Sequence, residues 1–185
     1  MTARTASIAA PTALGVRASW PALATLGAGL VHLAVAASAP VLLTVVLVAL
    51  GIAEIGWALT VLRAGRVMAV RSTLAVAASS SAVWVAIAFT LGATGVADPA
   101  DSVPLLPLAA ATLFTFYIAV EMARVTRSGK TATAATGTGG RLIVGLVIGA
   151  AIVAAVATPA LAATDAGKLA HPHGEHGFVA PGHQH

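Results

Sequence analysis

The chain has 185 residues, 58% of them hydrophobic and 9% charged, with a mean hydropathy of +0.95; soluble domains carry about 25% charged residues, and five spans of about 20 residues would take more than half of this length, which excludes a sizeable soluble domain. Cysteine is absent, which excludes disulfides, thiolate metal centres and cysteine nucleophiles. The net charge of +4 and pI of about 10.8 do not describe a nucleic-acid binder, because the bases cluster at span ends with no interleaved aromatic side chains.

Residues 1–18 read as a basic cytoplasmic leader without a fold. The first span, Ser19–Ala39, carries Trp20 where an interfacial aromatic belt would sit. A cleaved signal peptide is the competing reading, since Arg17 precedes an apolar stretch that ends in small residues. Ser38, Ala39 and Pro40 form a tight turn into the second span, Val41–Leu62, which makes the first two spans an antiparallel hairpin. The third span runs over Ser72–Gly92 and leads to an acidic turn, Ala97-Asp98-Pro99-Ala100-Asp101. The fourth, Leu105–Ala123, is followed by a Thr-, Gly- and Ser-rich linker over 126–140, and the fifth covers Leu142–Ala162. Residues 19–163 are therefore one membrane domain, and 164–185 a polar, His-rich tail.

Charge sets the expected orientation. Nine of the ten bases (Arg4, Arg17, Arg63, Arg66, Arg71, Arg124, Arg127, Lys130 and Arg141) fall in alternate gaps between spans. The complementary gaps carry Asp98, Asp101, Asp165 and Glu175, with Lys168 as the one base. Bases accumulate on the cytoplasmic side, so the pattern predicts an all-α bundle of five transmembrane helices with the N-terminus in and the C-terminus out. The expected location is a bacterial plasma membrane, since eight Arg against two Lys and abundant Ala fit a GC-rich bacterial genome.

Polar residues inside spans are costly, about 2.5–3.5 kcal/mol for a central charge on insertion scales. Glu54 lies about 12 Å deep by helical rise, with Ser79, Ser80 and Ser81 at similar depth and Tyr117 near them. These groups are expected to form one hydrogen-bonded layer centred on Glu54. That layer reads either as a protonatable site in a solute or ion path or as a neutral carboxyl gluing helices together. His32 lies nearer the other surface, and counting residues along the spans predicts a backbone carbonyl rather than Glu54 as its partner, with a proton-relay or metal-entry role as the alternative reading. Glu121, one turn before Arg124, reads as an exposed ion pair. Gly145 and Gly149 have the spacing that allows close helix packing, with no partner specified. The segment LAVAAS occurs at 33–38 and again at 74–79, either as the trace of a duplicated hairpin or as coincidence in an Ala- and Val-rich chain.

The tail carries the densest chemistry. His171, His173, Glu175 and His176 lie within six residues, and His183 and His185 follow. Imidazole suits Cu and Zn, and four ligands close a tetrahedral site. The spacing fits no defined finger or catalytic pattern, so the tract is a compositional metal-binding candidate or a plain solvated tail. A third reading takes Ala157–Ala163 as a cleavage site that releases the tail as a peptide.

The segment AGLVHLAVA (Ala28–Ala36), the AEIGWAL second span, Trp84 in the third and the acidic turn before the fourth resemble a loose group of small, uncharacterised actinobacterial membrane proteins. The stretch TPALAATDAGKLAHPHGEHG, starting at Thr158, is also similar to the ends of such proteins. The resemblance covers the first four spans and the tail, and implies a class of organism without an activity. Relatives of that kind carry further polar or aromatic residues after the first-span His, where this chain reads Ala36-Ala37-Ser38-Ala39-Pro40.

Three function classes follow. The first is a non-enzymatic multi-pass protein, an accessory subunit whose external His-rich tail captures or buffers a transition metal such as Cu or Zn. The second is a small transporter or channel subunit using the Glu54 layer. A membrane enzyme is third, because no nucleophile–base pair or ligand cluster recurs inside the spans. The expected partners are the lipid bilayer, a membrane-protein partner or a second copy of the chain, and a transition-metal ion, but no nucleic acid.

Overall fold

Apolar sequence of this kind folds as helix because a helix satisfies its backbone N–H and C=O groups within the segment. The computed structural model describes residues 16–94, 105–128 and 139–168. They form α1 (Val16–Ala36), α2 (Val41–Ala64), α3 (Val70–Thr94), α4 (Leu105–Ser128), α5 (Gly139–Ala162) and a single turn, α6 (Asp165–Lys168). The first five are long and apolar enough to cross a membrane. The linkers over 95–104 and 129–138, the leader over 1–15 and the tail from 169 lie outside the described residues, so the acidic turn and all the candidate tail ligands do too.

Helix α1 is the hub. It packs against α2, α4 and α5, while α3 packs chiefly on α4. In its apolar window 67% of residues are buried, against 22%, 17% and 17% for α2, α3 and α5. Small side chains make this possible: Ala22, Ala24, Ala28 and Gly29 present little bulk, so three helices can approach one. Large apolar side chains such as Val41, Leu42, Phe89 and Ile143 point outward, an arrangement that suits a lipid surround rather than water.

Consecutive helices alternate in direction. Thr44 Oγ1 donates to Ala36 O across the α1–α2 turn, and Ser81 meets Thr115 between α3 and α4. Helix α5 runs parallel to α1: Trp20 Nε1 donates to Gly145 O, and Gly27 faces Val153 further along. Consequently Arg17, Arg63, Arg66, Arg71, Arg124, Arg127 and Arg141 all fall at one end of the bundle.

Helix α2 stops at Gly65, whose positive φ of 66° lets its N–H reach Val61 O. The connector to α3 is then tied back to α2 by Trp57 Nε1, which donates to Met68 O at 3.1 Å. Beyond α5 the first residues of the expected tail fold back instead of continuing as free chain. Buried Thr164 caps α6 by accepting from Gly167 N–H.

The repeated LAVAAS segments occupy different heights. Residues 33–38 end α1, whereas 74–79 lie in the second and third turns of α3. The two hairpins therefore do not share a register in this motif.

Candidate functional site

His32 Nδ1 and Glu54 Oε2 are 2.7 Å apart, with the imidazole fully buried and the carboxylate side chain 9% exposed. This corrects the expectation that His32 bonds a backbone carbonyl and that Glu54 lies too far away. The α1–α2 register explains the difference. Ala36 meets Thr44 and Gly29 meets Gly51, so Glu54 is about 9 Å further along α2 than the residue facing His32. Helical side chains lean toward their own N-terminus. In antiparallel neighbours those leans are opposed, and the two side chains converge on the level of Gly29 and Gly51. Residue counting follows Cα atoms and misses that convergence.

The close approach of the two backbones supports the pair. A Cβ at Gly29 would stand 2.9 Å from Gly51 O, and one at Gly51 would stand 2.9 Å from Gly29 O. On its other side His32 stacks on Trp84 of α3, with ring centroids 6.3 Å apart and planes inclined by 24°. Its Nε2 is buried without a hydrogen-bond partner among the described residues.

The expected polar layer around Glu54 separates into different sites. Ser81 is buried and bonds Thr115 at 2.9 Å, linking α3 to α4. Ser79 is exposed and donates to Val76 O in its own helix. Ser80 Oγ is buried without a partner among the described residues, and Tyr117 is half-buried. Three consecutive residues spread over about 200° of a helix, so the serines cannot all face one carboxylate. Glu121 and Arg124 do form the exposed ion pair.

Glu54 also borders a cleft of about 190 Å³ between α2 and α3. Ala53, Ser72 and Val76 form an exposed rim, and buried Thr25, Thr115 and Ile118 form the floor. Trp57 and Ala69 mark the Arg-bearing end. A second, larger apolar cavity of about 540 Å³ lies toward the opposite end between α3 and α4, and Trp84 is one of its walls. The His32–Glu54 pair thus has the cleft on the Glu54 side and the Trp84 indole between its imidazole and the second cavity.

The arrangement suits proton binding. A carboxylate and an imidazole in contact hold either one exchangeable proton, leaving the pair neutral, or none, leaving it with one negative charge. Trp84 and the cleft were not anticipated as parts of this site, although its spacing, one turn after Ser81 and two turns after Ala77, puts Trp84 on the α3 face that carries both. No group of three or more His, Asp or Glu side chains able to hold a metal occurs among the described residues. The tail candidates His171, His173, Glu175, His176, His183 and His185 lie outside them. The chain matches no protein-family model, no curated protein and no solved structure.

Proposed function

We propose that the protein is a small, non-enzymatic membrane transport component, with five spans and its Arg-bearing end in the cytoplasm, and that His32–Glu54 is its proton-binding centre. The observation that carries this reading is the 2.7 Å contact between two ionisable groups inside an apolar helical bundle, with one of them bordering a cleft. Ionisable residues at such depth are expensive and mark proton or solute paths. A purely structural hydrogen bond would be served by an amide or hydroxyl without the cost of ionisable groups. The arginines at one end support the cytoplasmic assignment through the positive-inside rule.

Infrared difference spectroscopy on the purified protein tests it. A protonated carboxyl band should appear and vanish reversibly as pH is cycled, shift in D2O, and be missing from Glu54→Gln. A wild-type protein with no such band at any pH would overturn the assignment.

A second reading rests on a different observation, the five histidines between 171 and 185. In it the tail captures Cu or Zn outside the membrane and hands it to a partner protein.

A further inference from the structure

The chemistry of the cleft narrows what it can admit. Its walls from Leu50, Val76 and Ile118 are apolar, and no Arg or Lys among the described residues lines it. Three of the four hydroxyls that line it are engaged locally: Thr25 Oγ1 donates to Pro21 O, Ser72 Oγ to Ala69 O, and Thr115 Oγ1 to Ala111 O, which leaves Thr73 as the fourth. An anion would find no positive charge there, and a strongly polar solute would find few free donors. What remains is the Thr73 hydroxyl, one carboxylate, Glu54, and one indole, Trp57, held in place by its bond to Met68 O. Carboxylate and indole together recognise a cation, and the walls favour one with an apolar body.

We propose that this cleft binds a small apolar ammonium cation in exchange for a proton on the His32–Glu54 pair. The proposal rests on the proton-binding reading above and names its substrate class. The charge balance is simple. With its exchangeable proton the pair is neutral; the incoming cation replaces that proton, one is released, and the site is neutral again. Buried net charge is costly, so a filled site carries either the proton or the cation, and not both. The stoichiometry does not depend on which of the two residues carries the proton. Among the described residues, His32 is the one titratable group in contact with Glu54; α3 and α4 contribute hydroxyl and apolar side chains to the cleft and no charge.

Entry is from the side. Arg66 and Arg71 are exposed near the Ala69 end and would repel a cation arriving there from water. Exposed Ala53 and Val76 leave the gap between α2 and α3 open along the bundle's apolar flank.

Calorimetry on the full-length protein in detergent, with tetraethylammonium as the probe, tests the proposal. Paired titrations in buffers of different ionisation enthalpy report protons released. On the acidic side, Kd should rise about tenfold for each unit by which the pH falls, with about one proton released per cation bound. Glu54→Gln should abolish both binding and release. Trp57→Phe should retain binding, and Trp57→Leu should weaken it about tenfold. Val76→Trp, which fills the cleft without altering the pair, should block binding even if Glu54→Gln fails to fold. A pair that titrates in the infrared while tetraethylammonium neither binds nor releases a proton would overturn the cation assignment and leave the proton-binding centre standing. Binding that persists unchanged in Val76→Trp would also overturn it.

Discussion

Gly29 and Gly51 bring α1 and α2 together backbone to backbone, at the level where His32 meets Glu54. A Cβ on Gly29 would lie 3.3 Å from Glu54 Cβ as well as 2.9 Å from Gly51 O. A rigid carbonyl cannot step aside like the end of a side chain, so an added methyl must push the helices apart. Gly29→Ala and Gly51→Ala are therefore expected to destabilise the detergent-solubilised protein by about 1–3 kcal/mol. Gly56, on the same helix as Gly51, has nothing within 4 Å of its would-be Cβ. Gly56→Ala should be neutral or stabilising by up to about 1 kcal/mol. Equal thermal stability across all three variants would show that the α1–α2 approach is not what holds this hairpin.

The pair itself is best examined by a double-mutant cycle. His32→Leu leaves a carboxyl buried without its partner, and Glu54→Leu leaves the imidazole with both nitrogens unpaired. Each single variant should lose about 0.6–2 kcal/mol, the range of an interhelical hydrogen bond in a membrane protein. The double variant should be more stable than the sum of the two losses predicts, because it strands neither group. Glu54→Gln should fold, since the amide can still bond Nδ1, while losing the ability to exchange a proton. Additive losses in the cycle would mean that the two residues do not act on each other.

The five long helices were legible because hydropathy and charge-free length are local properties of the sequence. Glu54 and His32 stood out individually for the same reason: each is an ionisable residue in an apolar run. Their contact was not legible, because it depends on the α1–α2 register and on opposed side-chain leans, and neither is written in spacing along one helix. The serines misled in the opposite way. Equal depth suggested a shared layer, but rotation around α3 sends Ser79 outward and Ser81 toward Thr115. Gly145 and Gly149 announced close packing, and only the fold supplied the partner, Trp20 and Leu23 of α1.

That α1–α5 contact yields its own test. Gly149 sits where a Cβ would be 3.0 Å from Leu23 Cδ1 and 3.4 Å from Trp20 Nε1. Leu23 is flexible enough to adjust to a methyl but not to an isobutyl group. Gly149→Ala should be nearly silent, whereas Gly149→Leu should separate α5 from α1 and raise protease sensitivity in the segment after Arg127. Trp20→Phe, which removes the bond to Gly145 O together with part of the ring that packs near Gly149, should cost about 1 kcal/mol or more. If Gly149→Leu melts like wild type, α5 does not depend on this contact.

Orientation can be read with reporters. Fusions within 124–141 should report the cytoplasm, and fusions in 97–103 or after His185 should report the outside. Moving charge gives a sharper check: replacing Arg63, Arg66 and Arg71 by Gln should weaken the bias and yield mixed orientations. A uniform cytoplasmic signal from the reporter after His185 in the wild-type chain would reverse the assignment.

The tail prediction follows from ligand chemistry. Imidazole binds metal only when neutral, and its ordinary pKa is about 6.5. Binding by His171, His173, His176, His183 and His185 should therefore be present near pH 7.5 and weaken as pH falls below about 6.5. Cu²⁺ should bind more tightly than Ni²⁺ or Zn²⁺, following the general divalent order. His171, His173 and His176 should dominate with Glu175, because they are closest together in sequence; His183 and His185 contribute only by looping back over six intervening residues. Replacing the first three histidines by Ala should remove most of the heat in calorimetry with Cu²⁺, and should leave tetraethylammonium binding at the Glu54 cleft untouched. Unchanged Cu²⁺ binding in the triple variant would move the site elsewhere in the chain, and a wild-type protein that binds neither Cu²⁺ nor Zn²⁺ would reduce the tail to solvated sequence.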